Sequence, residues 1–372
     1  MKSSYPFFRK VRFSLFLIMT NSLILINANA QDYKVSTVVK NLNFPWSIAF
    51  LPNNDMLITE RSGNLRLVSD GKLLEEKVTG LPDIYVSGPA GLFDVVLDPN
   101  FVKNKKLYIS YSAGTPSNNY VEVISATLQG MSLQQTQVIF QGSSRNTPHH
   151  HGARMTFLPD NTLLITAGDG FNFRDQAQSL ESLLGKVLRI NTDGSIPKDN
   201  PFIGQANARA EIYTYGHRNP QAILVSKAKQ VWLHEHGPKG GDELNLIKPG
   251  LNYGWPAITY GEDYSGAIIS PFKEAQGMEQ PVTYWVPSIA PAGMTEYQGT
   301  MFPQWQGNLF VAALAGKSVR RLSLENNNVV EQETMLGDRN QRLRDIRTGP
   351  DGYIYVLTDS IEGELLKISP VQ

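Results

Sequence analysis

The sequence predicts an all-β protein, a six-bladed β-propeller, preceded by a cleavable export signal. Three observations carry this. A strand–turn–strand unit recurs six times, helical periodicity is scarce, and the first thirty residues have the three-part layout of a secretory signal.

At the N-terminus, Lys2, Arg9, Lys10 and Arg12 form a positive segment with no acidic residue. Phe13 to Ile26 is mostly apolar but broken by Ser14 and by Thr20-Asn21-Ser22. Ala28-Asn29-Ala30 supplies the small-x-small pattern of a cleavage site, so residues 31–372 are expected as the mature, single-domain protein. An uncleaved anchor would need about 20 consecutive apolar residues, and this stretch is shorter and interrupted. The expected location is therefore periplasmic or secreted. No second long apolar run follows, so no membrane span is expected in the mature chain.

Basic and acidic residues balance at 34 each, and removing the four basic residues of the signal leaves the remainder slightly acidic. Such a balance argues against nucleic acid or an anionic membrane as the main partner, because both call for a basic patch. Cysteine is absent, which excludes thiolate metal sites, thiol nucleophiles and thioether-linked haem. Redox chemistry on this chain would need a bound organic cofactor. A chain of this length can bury enough apolar surface without disulfides.

The repeat emerges when the apolar runs are stacked. Ile48 to Thr59 aligns with Met155 to Thr166, and Ile346 to Thr358 follows the same template with one extra residue. Val95 to Phe101, continuing to Leu107–Ser110, is a version with a longer turn. Ala222–Val225 with Val231–His234, and Gly307–Ala312, are weaker copies. Each reads as strand, Pro/Asn/Asp/Gly turn, strand, and a third strand often follows, as at Asn64–Val68 and Gly363–Ile368. Hairpins that cannot bury their own faces, repeated across the whole chain, point to radial stacking; a sandwich or β-helix does not predict six such units. One short helix is expected, around Gln176 to Leu184. Function should sit in the long connections, Ser112–Tyr120, Gln141–Gly152 and Gly254–Pro291.

Three clusters could carry chemistry. Half of the six histidines lie in His149-His150-His151, just before a strand. They suit a metal cluster, a general base or a solvated loop, and in an extended segment only His149 and His151 would share a face. Gly237-Pro238-Lys239-Gly240-Gly241-Asp242-Glu243, with Asn245 and Tyr253, offers carboxylates and exposed carbonyls of the kind calcium takes, or is simply an acidic turn. The neighbouring His234-Glu235-His236 is a weaker transition-metal reading. Tyr215-Gly216-His217-Arg218-Asn219-Pro220 and Arg342-Leu343-Arg344-Asp345 place arginines where a carboxylate ligand could meet them. Arg342 and Arg344 share one face of a strand, although Arg344 could instead pair with Asp169 or Asp345.

Taken together, these residues resemble the soluble pyrroloquinoline-quinone-dependent aldose sugar dehydrogenases, the glucose/sorbosone dehydrogenase-like family. The resemblance runs in order through Leu42–Trp46, Gly91–Phe101, the histidine loop ending at Arg154, Tyr215–Gln221, Gly237-Pro238 with Asp242–Leu246, Asn252–Pro256, Arg342–Asp345 and Pro350–Gly352. It implies a six-bladed propeller that oxidises the anomeric C1 hydroxyl of an aldose to a lactone, passing hydride to pyrroloquinoline quinone. His150 would then be the general base, and His149 would stand where the family has the group that orients it. The carbonyls of Gly237 and Pro238 would hold the Ca2+ that touches the quinone. Asp242, Glu243 and Tyr253 would form a second calcium site. Arg218 and Asn219 would face the quinone, and Arg342 and Arg344 would hold its carboxylates. The implied partners are an aldose and an unidentified electron acceptor, with the protein a monomer or homodimer.

Two positions depart from the family pattern. Pro89 replaces a glutamine that binds cofactor or substrate, and Ala315 replaces a lysine that contacts the quinone, with Lys317 as the nearest substitute. These departures keep two other readings open: a calcium-dependent lactonase needing no quinone, and a non-catalytic carbohydrate-binding propeller.

Overall fold

Short apolar strands separated by tight turns organise residues 33–371 of the computed structural model into six four-stranded antiparallel sheets. The structure describes residues 1–2 and 33–371, so the expected export signal lies outside the described residues. Tyr33–Gln372 forms one compact unit.

The chain enters through β1 (Tyr33–Leu42). Blade 1 follows as β2 (Pro45–Phe50), β3 (Met56–Glu60), β4 (Asn64–Ser69) and β5 (Lys72–Val78). Blade 2 is β6 (Leu92–Leu97), β7 (Lys106–Thr115), β8 (Asn118–Gln129) and β9 (Ser132–Gln141), with a single-turn helix α1 (Phe101–Asn104) in its first connection. Blade 3 is β10 (Gly152–Phe157), β11 (Leu163–Ala167), β12 (Lys186–Ile190) and β13 (Ile212–Tyr215). Blade 4 is β14 (Pro220–Val225), β15 (Val231–Glu235), β16 (Asp242–Ile247) and β17 (Thr283–Trp285). Blade 5 is β18 (Pro291–Glu296), β19 (Leu309–Ala313), β20 (Ser318–Glu325) and β21 (Asn328–Met335). Blade 6 takes β22 (Leu343–Thr348), β23 (Ile354–Thr358) and β24 (Gly363–Pro370) from the C-terminus and completes itself with β1, in the order β1-β24-β23-β22. This pairing joins the two ends of the chain and closes the ring.

The recurring hairpin of the sequence is the inner pair of strands in each blade. In three copies the turn has one geometry. Asn54, Asn161 and Gly352 have φ of 69°, 64° and 80°, and their amides donate to Leu51, Leu158 and Gly349. Only Gly, Asn and Asp enter that left-handed region at low cost, which is why the template places them there.

Strand side chains alternate between two clusters, one for each neighbouring blade. Met56 and Ile58 of β3 pack toward blade 6, whereas Leu57 packs toward blade 2. In β19, Leu309, Val311 and Ala313 face blade 4 while Phe310 and Ala312 face blade 6. Both faces are buried, so these strands read as continuous apolar runs instead of alternating ones.

The axis is filled by charge. Arg154 of β10 lies 3.3 Å from Asp345 of β22 and 3.5 Å from Asp94 of β6. Its guanidinium also donates to the carbonyls of Trp46, Gln221 and Arg344, and it stacks 3.9 Å from the Trp46 ring centroid. Asp94 accepts from Ser47 and Met155, and Asp345 from Ile48 and Arg347. One buried ion network therefore ties five blades together.

Two local expectations change. The segment expected to be helical forms only a short 3-10 turn, Arg174–Ala177. The remainder wraps around the buried Lys186 ammonium, which donates to the carbonyls of Gln176, Ala177 and Leu184 at 2.8, 3.0 and 2.7 Å. Gln176 keeps one helical-type bond, from the Ser179 amide, and Ala177 accepts instead from Gly216, so the ladder stops there. Ser112–Tyr120, expected as a loop, is mostly the paired ends of β7 and β8.

Candidate active site

One end of the ring gathers loops from every blade around a cavity of about 260 Å³. Its lining includes Trp46 and Arg61 of blade 1, Pro89 and Phe93 of blade 2, and His149, His150 and His151 at the entry to blade 3. Arg218, Asn219, Gln221, His236, Tyr264, Leu314, Arg342 and Arg344 also line it. A second pocket joins it across His150, Arg218 and Tyr264, and reaches Phe171, Arg174, Pro238, Trp255 and Asp263.

The histidine loop is not extended. His150 has the left-handed φ of 52°; all three imidazoles line the cavity, and those of His149 and His150 both pack against Phe171. Its Nδ1 donates to Asp169 Oδ1 at 2.7 Å. Asp169 also accepts from the Phe171 amide and, through Oδ2, from Trp255 Nε1 at 2.8 Å. A carboxylate on Nδ1 fixes the tautomer and leaves Nε2 as the free base. Burial holds the His150 pKa below its usual value, only partly offset by Asp169, so the imidazole is neutral at pH 7.

His149 therefore does not orient His150; it packs against Phe171, 5.5 Å between ring centroids. His151 is buried, with Nε2 3.0 Å from Ser112 Oγ and 3.2 Å from Asn119 Oδ1. The sequence suggests Asp169 only as a partner of Arg344, because it lies in a different loop from His150. Its signal was a carboxylate next to the Gly168 that follows β11. A side chain at Gly168 would come within 2.2 Å of the His150 carbonyl, so only glycine lets the two loops meet.

Across the cavity, Arg342 and Arg344 both contact Asp359, at 3.0 and 3.2 Å, and neither Asp169 nor Asp345 pairs with Arg344. Arg61 lies in the same group, its pKa lowered by burial and by these two arginines while Asp359 opposes the shift. Three guanidinium groups around one carboxylate leave excess positive charge facing the cavity, a match for an anionic ligand. Arg218 donates to the Gly237 carbonyl at 2.7 Å, and its Nε has no hydrogen-bond partner among the described residues. Asn219 Oδ1 accepts from Gln221.

The Gly237–Glu243 loop is held by Asp242. Asp242 Oδ1 accepts from the Gly237 amide, and Oδ2 accepts from Ser288 Oγ and from the amides of Ile289 and Ala290. The Tyr253 hydroxyl donates to the Leu246 carbonyl and accepts from the Lys248 amide. Both side chains are thus engaged by protein groups. Glu243 accepts from a single side chain, Asn245 Nδ2 at 3.2 Å. It faces a small cavity shared with Glu235, Gly237, Gly241 and Thr259, and burial together with Glu235 raises its pKa to about 8. A half-buried carboxylate beside the buried Glu235, with a glycine-rich backbone around it, fits a hard cation. Among the described residues, no group of three or more His, Cys, Asp or Glu side chains forms a metal site. His234, Glu235 and His236 diverge: Glu235 accepts from His217 and from the Arg218 amide, while His236 Nε2 donates to Pro291 O. No described helix is long and apolar enough to cross a membrane.

A ring of six blades with a histidine–carboxylate pair facing an arginine cluster defines a propeller with a polar, cationic cavity at one end. Residues 42–367 match the family model described as Glucose / Sorbosone dehydrogenase, and the chain belongs to that family of sugar-oxidising oxidoreductases. It is 45% identical to the aldose sugar dehydrogenase YliI of Escherichia coli, covering 90% of this chain and 92% of that protein. The soluble aldose sugar dehydrogenase of E. coli in its apo form superposes with a TM-score of 0.89 at 42% identity, covering 91% and 100% of the two chains. The PQQ-bound aldose sugar dehydrogenase of Streptomyces coelicolor gives 0.74 at 26% identity, covering 91% and 99%.

Proposed function

We propose that this protein oxidises aldoses at the anomeric carbon to lactones, using pyrroloquinoline quinone held with calcium. The observation that carries the reading is the His150–Asp169 pair, with a free Nε2, set in one cavity with Arg61, Arg218, Arg342 and Arg344. The quinone, when bound, supplies the hydride acceptor. His150 Nε2 takes the proton of the C1 hydroxyl, so that loss of hydride from C1 leaves the lactone carbonyl. Asp169 keeps the imidazole in the accepting tautomer and stabilises the imidazolium that results. Arg342, Arg344 and Arg61 hold the carboxylates of the cofactor, and Arg218 with Asn219 lines its other side. The Pro238 carbonyl would hold the cation beside the cofactor, joined by that of Gly237 once the Arg218 guanidinium now on it turns to the cofactor, and Glu243 with Glu235 would hold a second one.

Pro89 lines the cavity without offering a donor. Lys317 is engaged with Asn340 Oδ1 at 3.0 Å, so the position of the family lysine is not refilled. Cofactor affinity therefore rests on the arginines. We assign the protein to the periplasm or the exterior on the N-terminal pattern; a mature chain beginning at Gln31 supports this, and one retaining Met1 contradicts it.

Purified protein supplied with the quinone, Ca2+ and a panel of aldoses should reduce an artificial electron acceptor, and His150→Gln should abolish the reaction. Absence of turnover across the panel overturns the assignment. Lactone hydrolysis by quinone-free protein, lost on chelation, would replace it with a hydrolase.

A further inference from the structure

Arg145 lies beneath the histidine loop and is only 2% exposed. Its Nη1 donates to the His150 carbonyl at 2.6 Å, whereas Nε and Nη2 have no hydrogen-bond partner among the described residues. Among those residues it forms no ion pair, and the carboxylate that stabilises its charge from further away is Asp169. Its backbone is clamped to Asn119 by bonds of 2.9 and 2.8 Å, and Asn119 in turn touches His151. Its side chain runs under the turn that follows Asp169, where a Cβ on Gly170 would lie 3.4 Å from Arg145 Cβ.

A buried cation without a partner is costly and needs a reason. Here the reason is local. His150 holds a left-handed φ of 52° that a non-glycine residue adopts at an energetic cost, and the Arg145 fork grips the carbonyl of that same residue. Released, the peptide would lose the bond that fixes this φ, and the imidazole would stay beside Asp169 but no longer be fixed in direction. The positive charge under Asp169 also acts on the pair. An isolated buried carboxylate draws a proton onto its histidine, and a base already protonated cannot accept another.

We infer that Arg145 is a positioning residue for His150, locking its peptide in the conformation that sets the imidazole on Asp169 and balancing the charge of that carboxylate. The inference rests on His150 being the base. The other charged or titratable groups around His150 are Asp169, Arg218, His236, and His149 and His151 on its own loop. Arg61, Arg342 and Arg344 lie across the cavity, and Arg174 and Asp263 at the outer mouth. None of them bonds to the His150 backbone.

The test is Arg145→Met beside Arg145→Lys, read in two ways. Imidazole 15N titration of cofactor-free protein, with His150→Gln for assignment, should show the His150 midpoint raised by about one pH unit in R145M. R145K, which keeps the charge, should stay near wild type. Steady-state kinetics of the loaded enzyme should show kcat at pH 7 lowered about tenfold or more in both variants, with KM changed less than about threefold. A purely structural arginine would lower the thermal midpoint and leave the titration and the kcat-against-KM split alone. Folded R145M with an unchanged His150 midpoint and unchanged kcat overturns the inference. If R145M does not fold, unchanged kcat in R145K overturns it. Absence of aldose oxidation in wild type counts against the functional assignment, while the titration still decides the role of Arg145.

Discussion

At the residue scale the site turns on one hydrogen bond, 2.7 Å between His150 Nδ1 and Asp169 Oδ1. Burial lowers the pKa of His150, so the working, neutral form persists from alkaline pH down to below 6.5. The acid limb of the pH–kcat profile should therefore fall below pH 6.5; a limb above pH 7.5 would contradict a neutral buried base. Asp169→Asn removes the interaction that favours the imidazolium. The limb should then move to lower pH, and kcat should fall by about 10²-fold or more through loss of tautomer control. Unchanged kcat in D169N would remove Asp169 from the mechanism. The histidine triplet was legible as a cluster because three consecutive histidines stand out in any chain. Which ring works was not legible from spacing, because alternation assumes extended backbone and His150 is left-handed. The arginines were legible as a pair, but their shared partner Asp359 lies on the far side of a hairpin and gave no local signal.

At the element scale the hairpin template was readable because its turns demand particular residues, Asn54, Asn161 and Gly352 at one left-handed position. The closing strand β1 was not, since nothing local tells a strand at one end of a chain that its partner lies at the other. The failed helix at residues 176–184 has a specific cause, the Lys186 ammonium donating to three carbonyls of that segment. Lys186→Met should leave the Leu184 carbonyl unpaired, at about 1–3 kcal/mol if water cannot reach it, while Gln176 and Ala177 keep the amides of Ser179 and Gly216. Amide exchange in residues 176–184 should accelerate well before global unfolding does. Exchange at the wild-type rate would show that the segment holds its shape without the lysine.

The whole molecule depends on its axis. Arg154 meets Asp94 and Asp345 and donates to carbonyls of Trp46, Gln221 and Arg344, which also line the cavity. Arg154→Met leaves two carboxylates with less compensation in the interior, a change that costs about 3–5 kcal/mol. The thermal midpoint should drop by several degrees, and cofactor affinity should weaken although Arg154 does not line the cavity. A thermal midpoint within a degree of wild type would mean that the blades are held by their apolar seams alone.

The central claim, that this ring of loops binds a tricarboxylate quinone with a cation, is tested most directly by calorimetric titration of cofactor-free protein with pyrroloquinoline quinone, with and without Ca2+. The site predicts saturable one-to-one binding that calcium tightens and that Arg344→Ala weakens. No binding heat in either condition, from protein shown to be folded, would mean that Pro89 and Ala315 mark a propeller that has given up the quinone.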